Sequence, residues 1–193
     1  MIDFINKNKI IVLASGSPRR QSLLQQLGIN FTVEVKKVDE SYPGNLTSTE
    51  VAEYIAHKKA MAFDNPEKQQ ILITADTIVA TEQEILGKPN DKIEAQNMLK
   101  TLSDNTHWVI TGVCLRDINQ CHLFHSTTKV TFEPLTDELI KNYIEKEKPF
   151  DKAGAYGIQE WFGMVAVKHI EGSYFNVMGL PVHKLYQKLI EIA

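Results

Sequence analysis

Residues 10–28 read IIVLASGSPRRQSLLQQLG, and the way this stretch divides decides the fold. Ile10 to Ala14 form a short apolar, β-branched run suited to a buried strand. From Ser17 onward the pattern becomes helical: Ser17 is a natural N-cap, Pro18 suits the first helical position, Leu23, Leu24 and Leu27 share one face, and Gly28 is a C-terminal stop. Arg19 and Arg20 then occupy the second and third helical positions, where the helix dipole disfavours cations by a few tenths to about 1 kcal/mol. Two readings follow. Either both side chains extend into water, or the turn Ser15-Gly16-Ser17 and the helix N-terminus form an anion site with the guanidiniums as phosphate donors.

Outward from this stretch, strands and helices alternate. FTVEV (31–35) alternates as a strand, and Thr47 with Glu50 stands at capping-box spacing before a helix carrying Val51, Tyr54, Ile55 and Ala62. QILITADTIVA (70–80) is strand-like with a polar pair at its centre, QEILGKP is a short strand or loop, and Asp91 with Glu94 opens a further helix. THWVITGVCLRD and CHLFHSTTKVTFEP read as two long antiparallel neighbours turning at Asp117-Ile118, and Thr136 caps TDELIKNYIEKE. KAGAYGIQ reads as a loop, FGMVAVKHI as a strand, GSYFNVMG as a loop and LPVHKLYQKLIEI as a closing helix. The alternation predicts one α/β domain over 1–193 on a mixed sheet.

The chain has 193 residues, 43% hydrophobic and 23% charged, with a net charge of -3, which gives no general attraction to nucleic acid. Any phosphate binding must be local. No apolar run has the length to cross a bilayer, and IIVLA is too short for a secretory signal, so a cytoplasmic protein is expected. Cys114 and Cys121, expected to face each other across the hairpin, are then free thiols in a reducing compartment.

Asp76 is the acidic residue that asks most from the fold, because a carboxylate inside an apolar strand must be paired, metal-bound or placed at a cleft. Asp39 and Glu40 stand before a turn, where they either ligate a hard cation or are solvated. Lys58 and Lys59 lie on a helix, Gly87 and Pro89 fix the backbone around Lys88, and small residues would let a ligand approach near Gln159. His122 and His125 are spaced to opposite faces of a strand, which argues against a histidine metal site. No GxSxG, GxGxxG or GxxxxGK[ST] motif is present.

Taken together, LASGSPRR (13–20), the VDE acidic pair ending at Glu40, AHKKA around Lys59, ADT (75–77), GKP (87–89), DKAGAYGIQ (151–159) and EGSYFNVMGLP (171–181) resemble the Maf family of nucleoside triphosphate pyrophosphatases over nearly the whole chain. The resemblance implies a long twisted mixed sheet flanked by helices, bilobed with a central cleft and akin to inosine triphosphatases, often as a dimer. It implies hydrolysis of a nucleoside triphosphate to the monophosphate and pyrophosphate with a divalent cation, Mg²⁺ or Mn²⁺, while the net charge and the lack of a long apolar run lead us to expect no nucleic-acid or membrane partner. By motif position, Asp76 is the proton acceptor; for such chemistry Asp76 would take the water's proton or hold the metal that activates it, and Glu40 is the candidate metal ligand. Ser15, Arg19, Arg20, Lys59 and Lys88 are assigned to the phosphates as the cations and donor a leaving polyanion needs, and by motif position Arg19, Thr77 and Gln159 set substrate choice. AGAYGIQ followed by GSYFNV resembles the branch acting on dTTP and UTP, although Glu160-Trp161-Phe162 is bulkier than that branch's glycine-rich continuation. The same chemistry on 7-methyl-GTP, and a non-catalytic nucleotide-binding regulator, are the alternative readings.

Overall fold

The computed structural model describes residues 2–192. After a short helix α1 (Ile2–Asn8), strand β1 (Ile10–Leu13) runs straight into the turn and helix α2 (Pro18–Gln26), capped by Ser17 and ended before Gly28, which has φ 79°. Strand β2 (Phe31–Val33) is shorter than its alternation suggests. It pairs parallel to β1, with Ile11 opposite Phe31. Helix α3 (Ser48–Met61) begins with the complete capping box of Thr47 and Glu50.

Strand β3 (Gln70–Ala80) is continuous through its polar centre and pairs parallel to β1, with Ile11 opposite Ile71. Strand β4 (Ile85–Leu86) returns antiparallel on β3, and α4 (Lys92–Leu102) follows from its Asp91 cap. Strands β5 (Thr106–Arg116) and β6 (Cys121–Phe132) are neighbours in the sheet. The bond from Asp117 N to Gln120 O, at 3.1 Å, centres their turn on Ile118-Asn119, one residue later than expected. Helix α5 (Asp137–Glu147) precedes α6 (Trp161–Ala166), β7 (Val167–Glu171), α7 (Tyr174–Met178) and α8 (Val182–Ile192). The sheet is mixed and seven-stranded, in the order β2-β1-β3-β5-β6-β7 with β4 on β3.

Two segments depart from the sequence reading. FGMVAVKHI forms a strand only from Val167, because Phe162, Gly163 and Ala166 bury themselves at helical spacing in α6. A short apolar run does not distinguish the two states by periodicity. GSYFNVMG contains α7, whose start is held by Ser173 Oγ accepting from Asn176 N at 3.3 Å.

The chain divides into two compact units, Met1–Asp76 with Thr111–Ser126 and Gly179–Ala193, and Thr77–Ile110 with Thr127–Met178. In the first, Val12, Ala60, Leu72 and Cys114 form a core cluster against which Cys121 packs. Both cysteines are free, and burial pushes the Cys114 thiol well above the usual range. In the second, Phe132 meets His107 and Tyr156 edge to face at 4.8 and 4.9 Å, and Tyr143 stacks on Phe162 at 4.2 Å.

Gly112 on β5 lies so close to α3 that a Cβ would stand 2.3 Å from the Ala52 carbonyl oxygen. Gly112→Ala must push helix from strand, and we expect a loss of about 1–3 kcal/mol in urea unfolding. His107, wholly buried, has one ring nitrogen 2.8 Å from Tyr156 Oη and the other without a partner, and burial pulls its pKa down to about 4. The unfolded chain therefore binds a proton that the folded one refuses between about pH 6.5 and 4. Stability should fall through that window by up to about 3 kcal/mol, and His107→Phe should flatten that part of the profile measured by unfolding at a series of pH values.

Candidate active site

Three elements of the first unit bring one cation and two carboxylates together. Asp76 sits inside β3, 8% exposed, Lys59 lies in the last turn of α3, and Glu40 stands in the loop after β2. Lys59 Nζ is 2.6 Å from Asp76 Oδ1 and 2.7 Å from Glu40 Oε1. The register is local in origin. Val51, Ala52, Ile55 and Ala56 bury one side of α3, and Lys59 continues that stripe four residues beyond Ile55. Two residues before Asp76, the Thr74 hydroxyl donates to the Ala56 carbonyl at 2.7 Å and fastens strand to helix.

The neighbouring lysine straps down the loop. Lys58 Nζ reaches Asp39 Oδ2 at 3.2 Å and donates to the Ser41 carbonyl at 3.0 Å. Successive lysines thus take successive carboxylates, a pairing that their place on a helix alone does not reveal. Hydrogen bonds from the Ser41 hydroxyl and amide, and then Lys58, hold the Asp39 carboxyl down to about 2.

The turn after β1 is organised around Arg20. Its backbone N–H is capped by Ser17 Oγ, its Nε donates to the Gly179 carbonyl at 2.8 Å, and its Nη1 donates to the Ala75 carbonyl at 2.9 Å and to Ser15 Oγ at 3.3 Å. Burial lowers the Arg20 pKa, and the charges of Asp76 and Glu40 raise it again. A guanidinium stays cationic under such a balance. Arg19, half-buried, adds a second positive charge beside it.

In the second unit, Thr77 is half-buried on β3 and Lys88 is exposed in the loop after β4, where the Gly87 carbonyl accepts from Gly154 N at 3.0 Å. Gln159 is half-buried, and its Oε1 is buried without a hydrogen-bond partner. Its loop is held by its successor. Glu160 accepts from Tyr143 Oη at 2.6 Å and pairs with Lys152 at 3.0 Å, while Tyr143 Oη accepts from Gly157 N at 3.1 Å. The bulk of Glu160 and Phe162 is spent on this bracing and on the core. It is a feature that single-residue inspection does not reveal.

No group of three or more His, Cys, Asp or Glu among the described residues is arranged to hold a metal. His122 and His125 go separate ways, to Asp117 at 3.3 Å and Glu53 at 2.7 Å. Asp76 and Glu40 offer two carboxylates that share one ammonium. That donor set fits a hard cation whose remaining ligands come from phosphate oxygens, a common mode for Mg²⁺.

A mixed α/β sheet with a basic turn and a lysine-bridged carboxylate pair defines a protein equipped to act on phosphate chains. The chain belongs to the Maf family, since the family model described as Maf-like protein matches residues 10–192. The dTTP/UTP pyrophosphatase of Flavobacterium johnsoniae is 51% identical over 180 residues, 93% of each chain, and that of Phocaeicola vulgatus is 49% identical over 191 residues, 98% of each. A solved HAM1 protein from Coxiella burnetii is 19% identical, with 64% of this chain and 73% of that one covered and a TM-score of 0.42.

Removing Lys59 should strand the Asp76 charge. Lys59→Met is expected to cost up to about 3 kcal/mol in urea unfolding, and adding Asp76→Asn should recover part of that loss, whereas strictly additive effects would deny the coupling.

Proposed function

We propose that this protein hydrolyses dTTP and UTP to the monophosphate and pyrophosphate, clearing these or modified pyrimidine triphosphates from nucleotide pools. The observation that carries the reading is the Asp76–Lys59–Glu40 cluster, in a chain about half identical to named dTTP/UTP pyrophosphatases over almost its full length. Water attacks the α-phosphorus, the bond to the bridging oxygen breaks, and pyrophosphate leaves with growing charge. Asp76 accepts the proton of the attacking water, and Lys59 fixes the orientation of that carboxylate. Ser15, Arg19 and Lys88 are our candidates for the phosphate chain, and Lys59 joins them by exchanging Glu40 for a phosphate oxygen.

A divalent cation held by Asp76 and Glu40 would offset charge on the phosphate oxygens. Thr77 and Gln159 are the candidate base-reading residues. The unpartnered Gln159 Oε1 supports this, because a buried acceptor left unpaired costs about 1–3 kcal/mol, and the N3–H donor of uracil or thymine would satisfy it.

The test is pyrophosphate release from dTTP, UTP, CTP, GTP and 7-methyl-GTP with Mg²⁺, Mn²⁺ or EDTA. Turnover should be metal-dependent and highest for dTTP and UTP. Asp76→Asn should lower kcat by roughly 10²- to 10⁴-fold with nucleotide binding retained. Arg19→Ala should chiefly raise KM. Near-normal turnover in Asp76→Asn would remove Asp76 as the proton acceptor, and no release from any nucleotide would overturn the hydrolase reading.

A further inference from the structure

Arg20 presents a guanidinium beside the carboxylate cluster, yet its donors face the protein. An arginine grips a phosphate with two parallel N–H groups, either along its Nε side or across its two terminal nitrogens. Here Nε is committed to the Gly179 carbonyl at 2.8 Å, and Nη1 to the Ala75 carbonyl at 2.9 Å and Ser15 Oγ at 3.3 Å. Each of the two forks has lost one member to protein oxygens. The Ala75 carbonyl belongs to the residue before Asp76, and Ser15 opens the turn before α2.

We propose that Arg20 is a positioning residue rather than a phosphate ligand. It ties the end of β1, the Ala75-Asp76 backbone and the Gly179 carbonyl into one frame and so fixes where the Asp76 carboxylate stands. Asp76 and Glu40 are the acidic groups whose charges act on its guanidinium. Arg19, next to it on the same turn of α2, is then the arginine assigned to substrate. Lysine cannot replace Arg20, because one compact ammonium lacks the flat spread of donors that reaches three oxygens in different directions.

The inference rests on the hydrolase reading, and the experiment separates the two. Kd for a non-hydrolysable dTTP or UTP analogue bridged by carbon or nitrogen between the α- and β-phosphates is measured for the wild type, Arg20→Lys, Arg20→Ala and Arg19→Ala. Then kcat and KM are measured on dTTP and UTP. Positioning predicts that Arg20→Lys binds the analogue within about threefold of the wild type while kcat falls at least tenfold, and that Arg19→Ala weakens binding at least tenfold. Should Arg20→Ala fail to fold, Arg20→Lys carries the comparison alone. Weakened analogue binding in Arg20→Lys with kcat preserved would make Arg20 a phosphate ligand and overturn the proposal. An unchanged kcat with unchanged binding would overturn it as well. A wild type that neither binds the analogue nor releases pyrophosphate would instead overturn the hydrolase reading, and this inference with it.

Discussion

A carboxylate in a buried strand of the sheet is the constraint around which the first unit is organised. Asp76 is surrounded in sequence by apolar residues, and burying its charge without compensation would cost more than the margin by which proteins of this size are stable. Lys59 supplies that compensation, which dictates how α3 must sit on β3. The Thr74 hydroxyl on the Ala56 carbonyl and the absence of a side chain at Gly112 both serve that close packing. The same ammonium also holds Glu40, so a loop otherwise open to solvent inherits its position from the charge in the strand.

The elements that could be read from the sequence are those whose signals are local. The Ser17, Thr47, Asp91 and Thr136 caps each mark a helix start that the structure reproduces, since capping is settled by a side chain and a backbone N–H three residues apart. The α6 and α7 segments were not legible. Their helical state is decided by tertiary burial of Phe162, Gly163, Ala166 and Asn176, about which the short sequence windows carry no periodic signal. The site was legible as a set of suspicious polar residues, and family motifs gave those residues roles. What no motif spacing conveyed was the pairing: Lys59 between two carboxylates, Lys58 on Asp39, and Arg20 turned toward main-chain carbonyls.

The second unit carries the one clear departure from the expected sequence pattern, and the structure gives it a purpose. Glu160 places a carboxylate where Tyr143 and Lys152 both reach it, and Tyr143 in turn receives the Gly157 amide. Burial and the contact with Glu160 push the Tyr143 hydroxyl far above the usual phenol range, so it stays a neutral donor at every physiological pH. The loop bearing Gln159 is therefore braced by neutral and ionic hydrogen bonds.

The bond from Arg20 to the Gly179 carbonyl joins positions separated by 159 residues. During synthesis from the ribosome, β1, α2, α3 and β3 emerge long before that carbonyl exists. The candidate site residues Lys59 and Asp76 are thus present early, but the frame around them closes only when the segment leading into α8 arrives. Assembly of the centre is in this sense a checkpoint on near-complete chain synthesis, and a chain cut short before Gly179 would carry the Asp76–Lys59–Glu40 cluster without the tie from Arg20 to that carbonyl.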